Sequence, residues 1–183
     1  VVAAEDIISQ LISGEPVRYD NVTISGSLEL AELQGSLSQP VRITNSIFLG
    51  PVRFAAASFD EPIDLQGCIF RDNVDFFGCR FAGGAGFAGV TFEGQADLRN
   101  TYFGGQASFL SAQFSEDASF RNSQFAGDGI FLNSSFARDV DFDFAQFQRL
   151  ASFADARFVN VSFLETQFGG HTSFLNAEFH GNA

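Results

Sequence analysis

The sequence predicts an all-β solenoid, and two columns of residues carry that prediction. In the first, a large apolar residue, nearly always Phe, returns after five residues, then six, then five, then six. From Phe54 through Phe59, Leu65, Phe70 and Phe76 to Phe158 the alternation never fails. In the second, the residue two places earlier is small or β-branched, as at Ala57, Cys68, Val74, Cys79, Ala85, Val90 and Ala96. One large and one small inward residue, separated by an outward one, is period-two strand patterning confined to about three residues. Short strands joined by tight turns at a fixed period must stack, because one unit cannot bury its Phe without neighbours. Helical repeats need longer periods, and a coiled coil needs apolar residues about every 3.5 positions.

The chain opens on Ala3 to Ser13, where Ile7, Ile8, Leu11 and Ile12 have helical spacing. Gly14 and Pro16 stop the helix. It is too short to be stable alone, so packing over the end of the solenoid must hold it. Residues 1–16 are therefore read as a capping helix and residues 17–183 as one repeat domain. The repeat starts weakly, with Tyr19, Ile24 and Leu30 as centres and Val17, Val22 and Leu28 two places before them. Residues 31–40 break the spacing and predict a loop or distorted corner, with Leu37 still inward. One further break, a deletion of one residue, falls where Phe158 is followed by Phe163. The rod is expected to bend or bulge at both places.

Composition narrows the possibilities. Formal net charge is -12, and the ten basic residues are all Arg. That balance disfavours nonspecific binding to nucleic acid or anionic membrane and permits a basic partner. No run is long and apolar enough to insert in a membrane. The start, Val-Val-Ala-Ala without Met, fits either the tail of a removed signal or a chain boundary, so a cytoplasmic and an exported location both stay open.

The pattern Ala-Ser-Phe-x-x-Ala-x-Phe, repeated over residues 17–179, resembles the pentapeptide repeat proteins. It departs from a strict five by inserting one residue in every second unit. The resemblance implies a right-handed quadrilateral β-helix in which four units make one coil, here two fives and two sixes. The extra residues then fall at two opposite corners. It also implies a bacterial, noncatalytic structural or protein-interaction module with no cofactor. Some members imitate DNA and bind DNA gyrase and other type II topoisomerases, which stands as the alternative. Those mimics usually dimerise through a C-terminal helix, and none is visible in the closing Asn-Ala-Glu-Phe-His-Gly-Asn-Ala. Many Phe-rich members are parts of larger bacterial proteins, so further repeats after Ala183 are one expectation. The other is that another protein or a second copy covers Phe168, Phe174 and Phe179 at the open C-terminal end.

Stacking residues four units apart sorts the surface into four corners. One collects Asp72, Asp75, Glu93, Asp97, Glu116, Asp117, Asp139 and Asp141, with Arg71 and Arg138, and is the candidate acidic interaction edge. The next carries Arg80, Arg99 and Arg121 with Asp143. Asp141 and Asp143 bracket Phe142, so both are expected to point outward. Acidic residues also suit turns and keep a rod soluble, which is the plainer account of the edge. No cleft is predicted that would shift a carboxylate towards acid–base work, and no spacing of oxygen ligands for calcium recurs. His171 and His180 lack partners for a metal. Cys68 and Cys79, eleven apart, fall on opposite sides of a coil and are expected to be free buried thiols. The glycines between Gly83 and Gly94 are read as turn residues with positive φ.

Overall fold

In the computed structural model, which describes residues 1–30 and 35–182, the chain is an all-β parallel solenoid of about eight turns with one short helix. Each coil lays one short strand on each of four faces. Face I holds Val17–Asp20, Val41–Thr44, Ile63–Asp64 and their successors to Thr172–Ser173. Face II holds Ile69–Phe70 and Thr91–Phe92, face III Val74–Asp75 and Ala96–Asp97, and face IV Arg80–Phe81 and Tyr102–Phe103, each with its stacked relatives. All pairing is parallel. Through most of the rod each residue pairs with the one four units further on, as in Ile69↔Thr91, Val74↔Ala96, Arg80↔Tyr102 and Ala85↔Ala107.

Inside, the Phe columns stack coil on coil. Phe125 and Phe147 lie 4.4 Å apart between centroids at an angle of 7°, and Phe109 and Phe131 lie 4.9 Å apart at 5°. Neighbouring columns meet edge to face, as Phe120 does with Phe131 at 5.3 Å and 90°. Offset stacks and T-shaped contacts are the arrangements the aromatic quadrupole favours. The small column fits between the rings. Gly129 belongs to it, because an added Cβ would stand 2.9 Å from Phe147. Where the column is polar, its group bonds a backbone carbonyl: Thr101 donates to Phe76 at 2.9 Å and Ser134 to Phe131 at 2.7 Å. Cys68 and Cys79 are free and buried, and their thiols donate to Ile43 and Phe54.

The two predicted irregularities are located by register. The step from Leu28 to its partner Val52 is two residues longer than the step from Leu37 to its partner Phe59. Two extra residues therefore lie between Glu29 and Ser36, a stretch that includes residues 31–34 outside the described ones. Leu37 is buried. The pairs Phe136↔Phe158 and Asp139↔Asn160 differ by one residue, which puts the deletion between Phe158 and Asn160. There the chain forms no tight corner: Arg157–Ser162 and its neighbour Ser135–Asp141 run as continuous strands from face II to face III.

Helix Ala4–Ser13 covers the first coil with Ala4, Ile7 and Leu11. Ile12 departs from the expected apolar face and is 68% exposed. Gly14, at φ 72°, ends the helix: its N–H bonds Leu11, and that of Glu15 bonds Gln10, the Schellman arrangement. Val2–Ala3, ahead of the helix, adds a strand by pairing with Ile24–Ser25, which the sequence did not suggest. No helix among the described residues is long and apolar enough to cross a membrane.

The corners come in two kinds, alternating around the coil. Five-residue corners, at faces I to II and III to IV, are closed by a bond such as Cys79 N–H to Phe76 C=O at 3.0 Å. Each puts one residue at positive φ, for instance Gly78, Asn100 and Asn122. The six-residue corners, at II to III and IV to I, contain the extra residues. Here the glycine expectation is corrected. Of the glycines from Gly83 to Gly94 only Gly89 has positive φ. Gly83 and Gly94 lack side chains for another reason: a Cβ would come within 2.7 Å of the Pro62 backbone and 2.6 Å of the Asn73 backbone, one coil away.

Candidate functional site

The eight acidic residues singled out from the sequence gather along the II–III corner and the adjoining face III. Each has local work. Asp75, Asp97 and Asp141 face outward from face III, and each accepts the backbone N–H two residues on, from Phe77 at 2.9 Å, Arg99 at 3.0 Å and Asp143 at 2.7 Å. These are the Asx turns that favour Asp before a tight corner. Asp72 accepts the N–H of Asn73 at 2.7 Å. Asp117 accepts the N–H of Asp139 from the next coil at 3.3 Å, and Asp139 accepts the amide of Asn160 at 2.8 Å. Carboxylates and amides thus cap corner N–H groups from coil to coil.

Arginines interlock with the same edge. Arg71 reaches both oxygens of Glu93 at 2.7 and 2.8 Å, and Arg138 approaches Glu116 at 4.0 Å. Arg99 grips Asp97 through Nε at 2.9 Å and Nη2 at 2.6 Å, which holds its guanidinium pKa above the ordinary value. The direct neighbours Asp75 and Asp97 would repel across the ladder. Arg99, which bonds Asp97 and feels the charge of Asp75, offsets this. Arg99 and Arg121 stand on the next corner, as expected, but their side chains reach back to the acidic face. Arg80 does not: it lies on face IV with its guanidinium 4.3 Å from the centre of the Tyr102 ring.

Asp143 does stand in the outward column, but its neighbours cover it. Its side chain is only 12% exposed. Ser162 donates its hydroxyl to Oδ1, the N–H of Leu164 reaches the same oxygen at 2.9 Å, and Arg121 reaches Oδ2 at 2.8 Å. Burial pushes its pKa up, but these three donors outweigh that and leave it below the usual carboxylate value. The sequence showed only alternation around Phe142; the donors come from the coils on either side.

Face III carries a shallow groove of about 680 Å³. Asp97, Asp117, Asp139, Asp141 and Asp143 line it, with Arg99 and Arg121 as its cations. It is hollow because the short Ser119 and Ser162 follow the longer Asp97 and Asp141 in the outward column. Nothing in the repeat spacing announces this, although Ser at 119 where neighbouring coils have Asp is a readable departure. Among the described residues, no three His, Cys, Asp or Glu side chains converge where they could hold a metal. His180 lies 3.3 Å from Glu178 on the last coil.

Neither the curated proteins nor the solved structures yield a match. A family model described as pentapeptide repeats (9 copies) matches residues 36–80, 54–101 and 98–146. Those spans overlap into one stretch covering more than half of the chain, in the same units whose Phe columns stack in the solenoid. The chain belongs to the pentapeptide repeat family.

Proposed function

We propose that this chain is a noncatalytic interaction module that offers the acidic groove of face III to a basic segment of a partner protein. The observation that carries this reading is the groove itself, where five aspartates face two arginines on a rigid sheet. Its carboxylates are held by backbone turns and ion pairs, so binding needs little reordering of the site. An open groove with side chains so engaged suits recognition and not acid–base chemistry.

The test is calorimetric titration with an Arg/Lys-rich peptide. Binding is expected to weaken steeply as salt is raised. Asp117→Asn with Asp139→Asn is expected to weaken it further while preserving the fold, since an amide oxygen still accepts the same bonds. Absence of binding at low salt and millimolar peptide would sink the reading. A supercoiling assay with gyrase decides whether the basic partner is a type II topoisomerase, and no inhibition at micromolar protein removes that assignment.

A second contact is favoured by the last described coil, where Leu164, Leu175, Phe174 and Phe179 are 58%, 67%, 36% and 44% exposed. A second copy or another protein docking there would cover them. Light scattering over a concentration series should show the mass rising, and a constant monomer mass rules out the second copy.

A further inference from the structure

We infer that the III–IV corner carries a second docking slot, one that takes a proline-rich extended segment of a partner. The starting observation is Phe144. It occupies the positive-φ position of its corner at φ 59°, where the stacked coils have Ala56, Gly78, Asn100, Asn122 and Glu165. A bulky residue in that conformation is a genuine outlier, and such outliers concentrate at binding sites. The ring is half-buried and lies across the guanidinium of Arg121 at 4.7 Å. One coil below Arg121, Arg99 lies 5.4 Å from the ring of Phe77, itself 40% exposed. Two Arg–Phe pairs thus bracket the corner. Between them Arg99, Asn100, Arg121, Asn122 and Phe144 line a recess of about 440 Å³.

The chemistry of the recess selects its ligand. Arg121 spends Nη1 on Asp143 and Asp141, and Arg99 spends Nε and Nη2 on Asp97. The remaining guanidinium N–H groups have no partner among the described residues. Asn122 donates to Asn100 at 2.6 Å, which leaves the Asn100 amide N–H₂ likewise available. The slot is rich in donors. The three aspartates behind the arginines cancel their charge, so an anion gains little. A ligand with exposed carbonyls, few N–H groups and apolar faces for the rings fits these conditions. A polyproline II segment has that character, with its carbonyls solvated and no donor at Pro. From Phe77 to Phe144 is three coils, about 14 Å at strand spacing. At roughly 3.1 Å per residue, about five residues of such a segment span it.

This slot shares Arg99 and Arg121 with the acidic groove but not Asp117 or Asp139, and the two readings differ in salt response. Titrating a capped oligoproline of about eight residues into the full chain should give saturable binding that is little changed by salt. A Gly/Ser peptide of equal length should give none. Phe144→Asn restores the residue found at 100 and 122; it should melt no lower than the parent and bind oligoproline at least about tenfold more weakly. Phe77→Ala should also weaken binding, whereas Asp117→Asn with Asp139→Asn should not. The inference is overturned by no binding of oligoproline at millimolar concentration. It is equally overturned if Phe144→Asn binds as tightly as the parent, or if the groove variant alone loses binding.

Discussion

Asp143 is held by Ser162, Leu164 and Arg121, donors from the coils on either side of its own. Removing the carboxylate strands a buried backbone N–H and hydroxyl, so Asp143→Ala should lose about 1–3 kcal/mol, read by urea denaturation. The pH dependence follows from the depressed folded-state pKa. The stabilisation is fully present above the unfolded value of about 3.9 and disappears as pH falls through the folded one. The gap in melting temperature between parent and Asp143→Asn should hold from neutral pH to about pH 5 and close below that range. Burial pushes the thiols of Cys68 and Cys79 up to about 12. Both should resist iodoacetamide in the native state and react promptly in denaturant; rapid native alkylation would contradict their burial. Phe120 is fully buried between Phe142 and Phe109. Phe120→Ala should therefore lose roughly 3–5 kcal/mol on the same urea measurement.

At the level of elements, the two kinds of corner use glycine differently. Gly89 supplies a left-handed φ of 64° with open space around it, and Asn100 and Asn122 fill the same kind of position. Gly105 has no such φ; a Cβ there would stand 2.6 Å from the Gly83 carbonyl oxygen, one coil below. Gly89→Ala should lose about 1 kcal/mol, and Gly89→Asn less. Gly105→Ala should lose more than either, because a backbone has to move. Thermal melts of the three variants check the order. The fixed spacing of the inward columns made the turns legible from the sequence, whereas the positive-φ residues were not: of the glycines read that way only Gly89 is one. The close-approach glycines were not legible, because the atoms they avoid lie a full coil away along the chain. Likewise the membership of the acidic edge was legible from spacing, whereas the interlocking of Arg99 and Arg121 with it was not.

For the whole molecule, stability should grade along the axis, since each coil touches only its neighbours. The first coil is aliphatic, and Leu28 with Val41 and Ile43 of the second coil packs under Ile7 and Leu11 around a void of about 10 Å³. The middle coils are aromatic on all sides. Phe168, Phe174 and Phe179 on the last coil have neighbours on one side only among the described residues. Native-state hydrogen exchange should therefore release the amides of Gln167–Phe179 first and those of Phe103–Phe131 last. Uniform protection from end to end would contradict this gradient.

The repeat by itself determined the solenoid, most of its core, the length of its coil, the one-residue deletion after Phe158 and the stretch near residues 31–40 where the spacing breaks. These depend on which side chains point inward, and inward direction is a local property of a strand that recurs with the chain. What only the tertiary structure decided is which outward groups meet: Arg121 with Asp143, Arg99 with Asp97 against Asp75, Phe144 across Arg121. Those contacts depend on side-chain reach between stacked coils and on the length of the neighbouring residue, and a small one such as Ser119 opens a groove. Period alone carries no such information.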